Sequence, residues 1–192
     1  MAVLFDTNIL LLVLDPSAPP PIDPATGVPL VDGAERIDYL VRTLSKARTD
    51  VLVPTPVLTE VLCKAGAAVP RYVQLLQKSP FRLAPFDTRA AIQCAEALAF
   101  HLNERGKGRP KKSAPPEGMP GARGKIKFDR QVVAIGQVNR VTAIYSDDED
   151  VFKEARRIGI DVVRSHDLPV DPDKAQSKLF THTQYPPETG SW

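Results

Sequence analysis

Short apolar runs alternate with longer stretches of helical periodicity along most of this chain, and no other feature limits its fold as strongly. Each run has the length and apolar character of a buried strand. The predicted strands are Ala2 to Phe5, Val51 to Val53, Phe81 to Phe86, Val141 to Tyr145 and Ile160 to Val163. Strands that alternate with helices form parallel sheets that are covered on both faces. The sequence therefore predicts an α/β fold, a three-layer α/β/α sandwich with a central parallel sheet of about five strands.

Apolar residues at helical spacing predict helices between these strands. One follows Asp6-Thr7-Asn8 up to Leu14, and others cover 34–47, 55 onward, 70–77, 88 to about 104, 128–139 and 149–158. Two stretches rich in Pro and Gly, 15–33 and 105–127, interrupt the pattern, and we expect irregular insertions there. The predicted domain spans 1–165 with both insertions, and 166–192 is predicted to be a C-terminal tail that either covers part of the surface or is disordered.

Composition narrows the class of protein. With 43% hydrophobic and 25% charged residues in 192, the chain fits one globular domain with a sizeable core. No apolar run approaches the roughly 20 residues that cross a bilayer, and the start lacks a basic leader, so we expect a cytoplasmic protein without a membrane segment. Cys63 and Cys94 lie in helical segments and are expected to be reduced core thiols. Three scattered histidines and no paired cysteines give little support to a zinc site.

Positive charge is concentrated in one part of the chain. Residues 105–130 hold nine Lys or Arg against Glu117 and Asp129, a net charge of +7, which leaves −5 for the rest because the whole chain carries +2. A basic block on a mildly acidic body is typical of an edge that binds a polyanion. A solvated loop without a partner explains the same charges equally well.

Several acidic residues occur in apolar surroundings. Asp6 directly follows the first strand, Glu60 lies in an apolar helix, Asp129 opens another, and Ser146-Asp147-Asp148 follows the fourth strand. Asp87 also follows a strand, and parallel sheets bring their carboxyl ends to one edge. Carboxylates near apolar groups are costly unless something pairs them. A divalent cation is a natural partner, and hard oxygen ligands favour Mg²⁺ or Mn²⁺.

Each of these acids has a simpler explanation when it is taken alone. Asp6 and Asp129 are suited to cap the helices that follow them. Glu60 is compatible with a solvated helix edge, and the acidic run 147–150 with a helix N-terminus that favours negative charge. The joint pattern is what favours a site.

In order and spacing, these residues resemble the PIN-domain ribonuclease family, which includes the VapC-type toxins of bacterial toxin–antitoxin pairs. The matching pieces are Phe5-Asp6-Thr7-Asn8, Thr59-Glu60-Val61, Phe128-Asp129-Arg130-Gln131-Val132-Val133-Ala134 and Ile144-Tyr145-Ser146-Asp147-Asp148-Glu149-Asp150-Val151. Each piece is weakly specific, whereas four in sequence are strong. The resemblance covers about residues 2–164.

The resemblance implies a five-stranded α/β/α sandwich and a metal-dependent endoribonuclease that hydrolyses RNA phosphodiester bonds with one or two Mg²⁺ or Mn²⁺ ions. It implies catalytic and metal-ligating roles for Asp6, Glu60, Asp129 and Asp148, with Asp147 as a secondary ligand candidate. Supporting roles fall to Thr7 and Asn8, which would orient Asp6, and to Ser146, which would support the last acid. The implied partners are RNA, a cognate antitoxin protein and a second copy of the chain.

Both insertions and the tail are longer than in compact toxin members, so a toxin and a housekeeping nuclease both remain open. Because the basic insertion directly precedes Asp129, we expect it to contact RNA phosphates with salt-dependent affinity. The candidate RNA-binding residues are Lys111, Lys112, Lys125, Lys127 and Arg130.

Three other functions compete with this prediction. A phosphohydrolase of the haloacid dehalogenase type needs a second Asp two residues after Asp6, where this chain has Asn8. A phosphate-accepting receiver domain needs a central phosphorylatable Asp, a role that Asp87 fits poorly. A non-catalytic PIN-like module that binds RNA or a protein is the main alternative, and four filled acid positions favour catalysis over it.

Overall fold

The computed structural model of the chain describes residues 1–30, 32–106 and 120–174, with only the backbone described at 101–106 and 120–127. Its centre is a five-stranded sheet in which every neighbouring pair is parallel. The strands are β1 (Ala2–Phe5), β2 (Asp50–Pro54), β3 (Arg82–Ala84), β4 (Ala143–Tyr145) and β5 (Asp161–Val163). Their order across the sheet is β3-β2-β1-β4-β5. The predicted parallel sheet of five strands is confirmed.

Helices fill the connections between the strands. They are α1 (Thr7–Leu14), α2 (Gly33–Lys46), α3 (Thr55–Ala65), α4 (Val69–Lys78), α5 (Thr88–Gly106), α6 (Pro120–Val138) and α7 (Glu149–Arg157). Short 3₁₀ turns occur at Gly66–Ala68 and Ser165–Asp167. In the described part of the chain, none of the helices is both long and apolar enough to cross a membrane.

Alternating side chains of the buried strands make two cores, one on each face of the sheet. On β1, Leu4 belongs to the core beneath α3, α5, α6 and α7, whereas Val3 and Phe5 belong to the core beneath α1 and α2. Since successive residues of a strand point to opposite faces, a strand buried on both faces is apolar throughout. The result is the predicted three-layer α/β/α sandwich.

Helix α6 differs from the prediction of an irregular insertion over 105–127. It begins at Pro120, eight residues before the expected start, and α5 continues to Gly106. Pro is well tolerated in the first turn because its missing N–H has no helical partner there. Gly121 and Gly124 each cost about 1 kcal/mol relative to Ala, but the helix as a whole packs along α5, and tertiary packing contributes more to helix stability than propensity does. Residues 107–119 lie outside the described part.

Gly136 lets α6 approach the sheet closely. A Cβ atom at this position would lie 3.2 Å from Val141 Cγ2, 3.3 Å from Ile144 Cδ1 and 3.5 Å from Leu4 Cδ1. Asp129 precedes Gly136 by two helical turns and so lies on the same face of α6. The close contact of α6 with the sheet therefore carries Asp129 to the end of β1 and β4.

The first residues of the predicted surface tail are packed against α2. Leu168 is buried in the core beneath α1 and α2, and Arg36 donates hydrogen bonds to the backbone oxygens of His166 and Leu168. Arg42 Nη2 lies 2.5 Å from Asp171 Oδ2, and this hydrogen bond lowers the pKa of Asp171. The chain through Asp171 is thus part of the folded body, although it lacks periodicity.

Candidate metal-binding acidic pocket

The strand order reverses beside β1. From β1 the chain moves outward through β2 and β3, then returns to place β4 on the other side of β1. In open α/β sheets, ligands bind beyond the carboxyl ends of the strands at such a switch point. Asp6 follows β1 and Ser146 follows β4, and Asp6 N donates to Tyr145 O at 3.1 Å. The two segments with the acidic motifs are therefore neighbours.

Asp6 forms the buried floor of the site. Its Oδ1 accepts a hydrogen bond from Thr7 N at 2.7 Å, and its Oδ2 accepts one from Ser146 Oγ at 2.5 Å. Burial raises the pKa of Asp6, these two hydrogen bonds lower it, and the charges of Asp148 and Glu60 raise it. The net direction is upward, because burial and neighbouring carboxylates outweigh the two donors.

Glu60 reaches the site from α3. Val57 and Val61 pack into the core, and Glu60 lies at the edge of that buried face with its side chain exposed. Thr7 Oγ1 donates to Glu60 Oε2 at 2.7 Å, and Lys64 Nζ lies 2.7 Å from Oε1. Thr7 thus connects Asp6 and Glu60, with its N–H on one carboxylate and its hydroxyl on the other.

Asp148 and Asp129 approach the same point from α7 and α6. Asp148 is the N-cap of α7, and its Oδ1 accepts from Asp150 N at 2.8 Å. Asp148 N donates to Ser146 Oγ at 3.1 Å, so Ser146 connects Asp148 with Asp6. One carboxylate oxygen from each of Asp129, Asp148 and Asp150 lies within 4.8 Å of the others. Asp150 was not predicted as a ligand, and the sequence signal for it was the acidic run 147–150.

A cavity of about 370 Å³ brings these groups together. Its lining residues are Asp6, Thr7, Asn8, Thr59, Glu60, Cys63, Phe128, Asp129 and Asp148. We call this cavity the acidic pocket. It contains the four acids singled out in the sequence and two of the three supporting residues, while the third, Ser146, is buried beneath Asp6.

Sequence reasoning missed three lining residues. Thr59 and Cys63 flank Glu60 on the exposed face of α3, and Phe128 precedes Asp129. The expectation that Cys63 is a core thiol is wrong, because Cys63 is exposed whereas Cys94 is buried. The reason is helical geometry: Val57 and Val61 define the buried face of α3, and Cys63 lies roughly 200° around the helix from Val61.

Other acids near strand ends have other partners. Asp147 Oδ1 accepts hydrogen bonds from Ser165 N and Oγ, both at 2.8 Å, and Asp147 does not line the acidic pocket. Asp87 lies beyond the carboxyl end of its strand, as Asp6 does, but it does not line the acidic pocket, because β3 is the outermost strand, roughly 10 Å from β1. Asp87 Oδ1 instead accepts from Ala90 N at 2.9 Å at the start of α5.

The candidate RNA-binding residues are only partly described. Arg130 lies close enough to Cys94 on α5 to lower the pKa of that thiol, which burial raises more strongly, and it does not line the acidic pocket. Lys125 and Lys127 belong to the backbone of α6, with their side chains outside the described part. Lys111 and Lys112 lie wholly outside it.

Comparisons with known proteins agree at the level of the fold. No family model and no curated protein match the sequence. The fold resembles a crystal structure of VapBC2 from Rickettsia felis bound to a DNA fragment from their promoter, at a TM-score of 0.52 and 12% identity over 85% of this chain and 98% of that one. It also resembles DNA-bound VapBC from Salmonella typhimurium, at a TM-score of 0.52 and 15% identity over 86% of this chain and 98% of that one.

This chain has the VapC-type PIN-domain fold.

In this PIN-domain fold, the acidic pocket offers mainly carboxylate oxygens as ligands, and Cys63 is the one sulfur-bearing residue among the described residues that line it. One carboxylate oxygen from each of Asp129, Asp148 and Asp150 is close enough to the others to share one ion, and of these three residues Asp129 and Asp148 line the pocket whereas Asp150 is exposed outside its lining. Asp6 lies near the charges of Asp148 and Glu60. The pKa of Asp6 is raised mainly by burial, and the charges of Asp148 and Glu60 raise it further, so repulsion between these carboxylates adds to the cost of burying the Asp6 charge. A hard divalent cation such as Mg²⁺ or Mn²⁺ fits this donor set, because it would neutralise that repulsion.

Proposed function

We propose that this protein is a metal-dependent endoribonuclease that hydrolyses RNA phosphodiester bonds at the acidic pocket. One observation carries the proposal: Asp6, Glu60, Asp129 and Asp148, which are far apart in sequence, line a single cavity. The PIN-domain fold supports it, because the cavity lies at the sheet position where α/β proteins bind ligands.

The acids have distinct positions in the proposed site. Asp6, Glu60, Asp129 and Asp148 would hold Mg²⁺ or Mn²⁺, with Asp150 as a further ligand. Such an ion supplies Lewis acidity, which lowers the pKa of a coordinated water and stabilises charge on a phosphate. Asp147 is the weaker candidate, since Ser165 already holds its Oδ1.

Hydrogen bonds within the chain orient these carboxylates before any ligand arrives. Thr7 and Ser146 fix both oxygens of Asp6, and Ser146 also accepts from the backbone of Asp148. Asn8 lines the pocket beside them. Preorganised ligands need not rearrange when charge develops on the phosphate.

The proposed partners follow from the charge distribution and from the likeness in fold. The basic segment 105–130 would bind RNA phosphates beside Asp129. The similar solved structures are VapBC assemblies, so we propose the role of the toxin of a type II toxin–antitoxin pair, with a cognate antitoxin as partner. Homodimerisation and a cytoplasmic location stay predictions.

Cleavage assays test the proposal directly. Labelled single-stranded and structured RNAs are incubated with the wild type, Asp6→Asn and Asp129→Asn in Mg²⁺, in Mn²⁺ and in chelator. We expect metal-dependent internal cleavage by the wild type and a loss of at least about 100-fold in both variants, as for the removal of a group that stabilises the transition state. Asp161→Asn is the matched control, because Asp161 is an exposed acid on β5 away from the pocket.

The same experiment separates the enzyme from a non-catalytic module that binds RNA or a protein. Folded wild type that binds Mn²⁺ but cleaves none of a broad RNA panel would favour the binding module. Cleavage that persists in chelator, or in both variants, would contradict the proposed site.

A further inference from the structure

Two phenylalanines among the described residues have largely exposed rings. Phe100 is 46% exposed and Phe128 is 47% exposed. The guanidinium of Arg157 lies 4.9 Å from the centre of the Phe100 ring, which gives that ring a cation–π contact. Phe128 instead lines the acidic pocket.

Phe128 is the large apolar group in a pocket otherwise made mainly of acids and small polar side chains. It directly precedes Asp129, and consecutive Cα atoms are only about 3.8 Å apart. Both side chains line the same pocket, and in a nucleotide the base and the phosphate are joined through one sugar. The pocket thus places an apolar ring beside anionic groups. A nucleotide has the same arrangement, since it carries a base beside a phosphate.

We propose that Phe128 is a stacking platform for a base of single-stranded nucleic acid whose phosphate lies at the acidic residues. The inference rests on the proposed function only in taking nucleic acid as the substrate. Aromatic side chains bind unpaired bases by stacking, and every base offers a flat face for this contact. Bases in a duplex are already stacked on both sides, so the platform selects single strands, loops or bulges.

A protein-docking role fits Phe128 less well. Surfaces that bind proteins through apolar contact are continuous patches of several hundred Å², whereas Phe128 shares its pocket with polar residues such as Asp129, Glu60 and Thr59. A core role is excluded by the exposure of its ring.

Fluorescent oligonucleotides test the stacking. We would titrate short single-stranded RNAs and DNAs that carry 2-aminopurine at successive positions with the full chain, in chelator and in Mg²⁺, and check the strands for cleavage afterwards. Stacking on Phe128 should quench the fluorescence at one position. Anisotropy gives the affinity, and a hairpin duplex of equal length is the comparison ligand.

Phe128→Ala should abolish this quenching and weaken single-strand binding by about 5- to 100-fold, with little effect on the duplex. Phe128→Tyr should restore both signals, whereas Phe128→Leu should not. Phe100→Ala is the matched control, since it removes an equally exposed ring elsewhere. Thermal unfolding with and without Mn²⁺ shows for each variant whether the fold and the metal response persist.

Each other outcome overturns the inference. Equal affinity and quenching in wild type and Phe128→Ala would show that the ring does not contact a base. Wild-type affinity and quenching in Phe128→Leu would show that residue 128 makes an apolar contact with the nucleic acid but does not stack on a base. Failure of the wild type to bind any single strand, while Mn²⁺ still stabilises the fold, would overturn the platform and leave the metal site standing. Loss of the Mn²⁺ response as well would remove the proposed function itself.

Discussion

Asp6 combines a functional position with an energetic cost. Its carboxylate is buried, accepts two hydrogen bonds, and lies near the charges of Asp148 and Glu60. A carboxyl group whose pKa is raised on folding stabilises the native state below its unfolded pKa, and this contribution is lost as the pH rises through the folded pKa. At neutral pH without metal, charged Asp6 therefore opposes folding.

We predict that Asp6→Asn raises the melting temperature by a few degrees in chelator at pH 7 to 8. The gain should shrink as the pH falls towards 4, because protonated Asp6 no longer carries the charge that opposes folding. The same variant should lose the stabilisation that Mn²⁺ gives the wild type, since a site-specific ion stabilises only the state that binds it. Thermal unfolding followed by circular dichroism measures all three quantities.

Asp161→Asn serves as the control, since it removes the same charge from an exposed position. It should change neither the melting temperature by more than about a degree nor the Mn²⁺ response. An Asp6→Asn variant that is less stable than wild type at pH 8 in chelator would contradict the proposed cost of burying the Asp6 charge near other carboxylates.

At the scale of single elements, the residue that caps α7 contributes both to the stability of the helix and to the acidic pocket. Asp148 caps this helix through Asp150 N at 2.8 Å and Val151 N at 3.4 Å while it lines the acidic pocket. Asn is as good an N-cap as Asp but lacks the charge, and Ala lacks the cap as well. The two substitutions therefore separate the structural role from the ligand role.

We predict that Asp148→Asn keeps nearly the wild-type melting temperature in chelator, whereas Asp148→Ala loses about 1 kcal/mol, or about 2–4 °C. Both variants should lose most of the Mn²⁺-induced shift. Asp87 provides the matched pair, because it caps α5 through Ala90 N away from the pocket. Asp87→Asn and Asp87→Ala should repeat the stability pattern with the Mn²⁺ response intact.

A full Mn²⁺ response in Asp148→Asn would show that this carboxylate does not bind the ion. Equal destabilisation by Asn and Ala would show that the cap is not what Asp148 contributes to α7.

At the scale of the whole molecule, charge is divided between a basic segment and an acidic body. Residues 105–130 carry +7 and the remainder −5, while the proposed catalytic groups are themselves acidic. A phosphate chain meets repulsion at the pocket unless cations near it hold the strand, so the basic segment is the natural source of affinity.

We predict that changing Lys111, Lys112, Lys125 and Lys127 to Gln weakens RNA binding and flattens its salt dependence. For single strands the slope of log K against log salt changes by about 0.7 for each phosphate that a lysine no longer neutralises, so four such phosphates would lower it by about 3. Anisotropy titrations in chelator over a range of salt concentrations give the slope.

The control is a variant with the same reduction in charge, in which four other lysines are changed together to Gln: Lys46, Lys78, Lys153 and Lys174. An equal change in slope for both sets would leave only a general charge effect.

The sequence by itself determined the elements and most of the site. Apolar runs and helical spacing have local causes, so β1, α2, α7 and the irregular stretch after Asp15 could be predicted closely. The four acids of the pocket could be selected because they occur in the order and spacing of the PIN-domain motifs. Apolar context alone does not select Glu60, which is exposed and paired with Lys64. Among the described residues, Pro and Gly misled the prediction at the start of α6, because the packing of the whole helix along α5 stabilises it despite their low helix propensity.

Only the tertiary structure decided which groups meet. The strand order sets β1 between β2 and β4, and hydrogen bonds between distant segments determine this order, so no local pattern records it. The order brings Asp6 beside Ser146 and Asp148 and leaves Asp87 at the outer strand. The directions of the side chains also follow from the tertiary structure. Asp147 accepts hydrogen bonds from Ser165, Asp150 lies near Asp129 and Asp148, and Phe128 lines the pocket. The periodicity of a sequence predicts which residues share a face of one helix. Which other elements that face contacts depends on how several elements pack together.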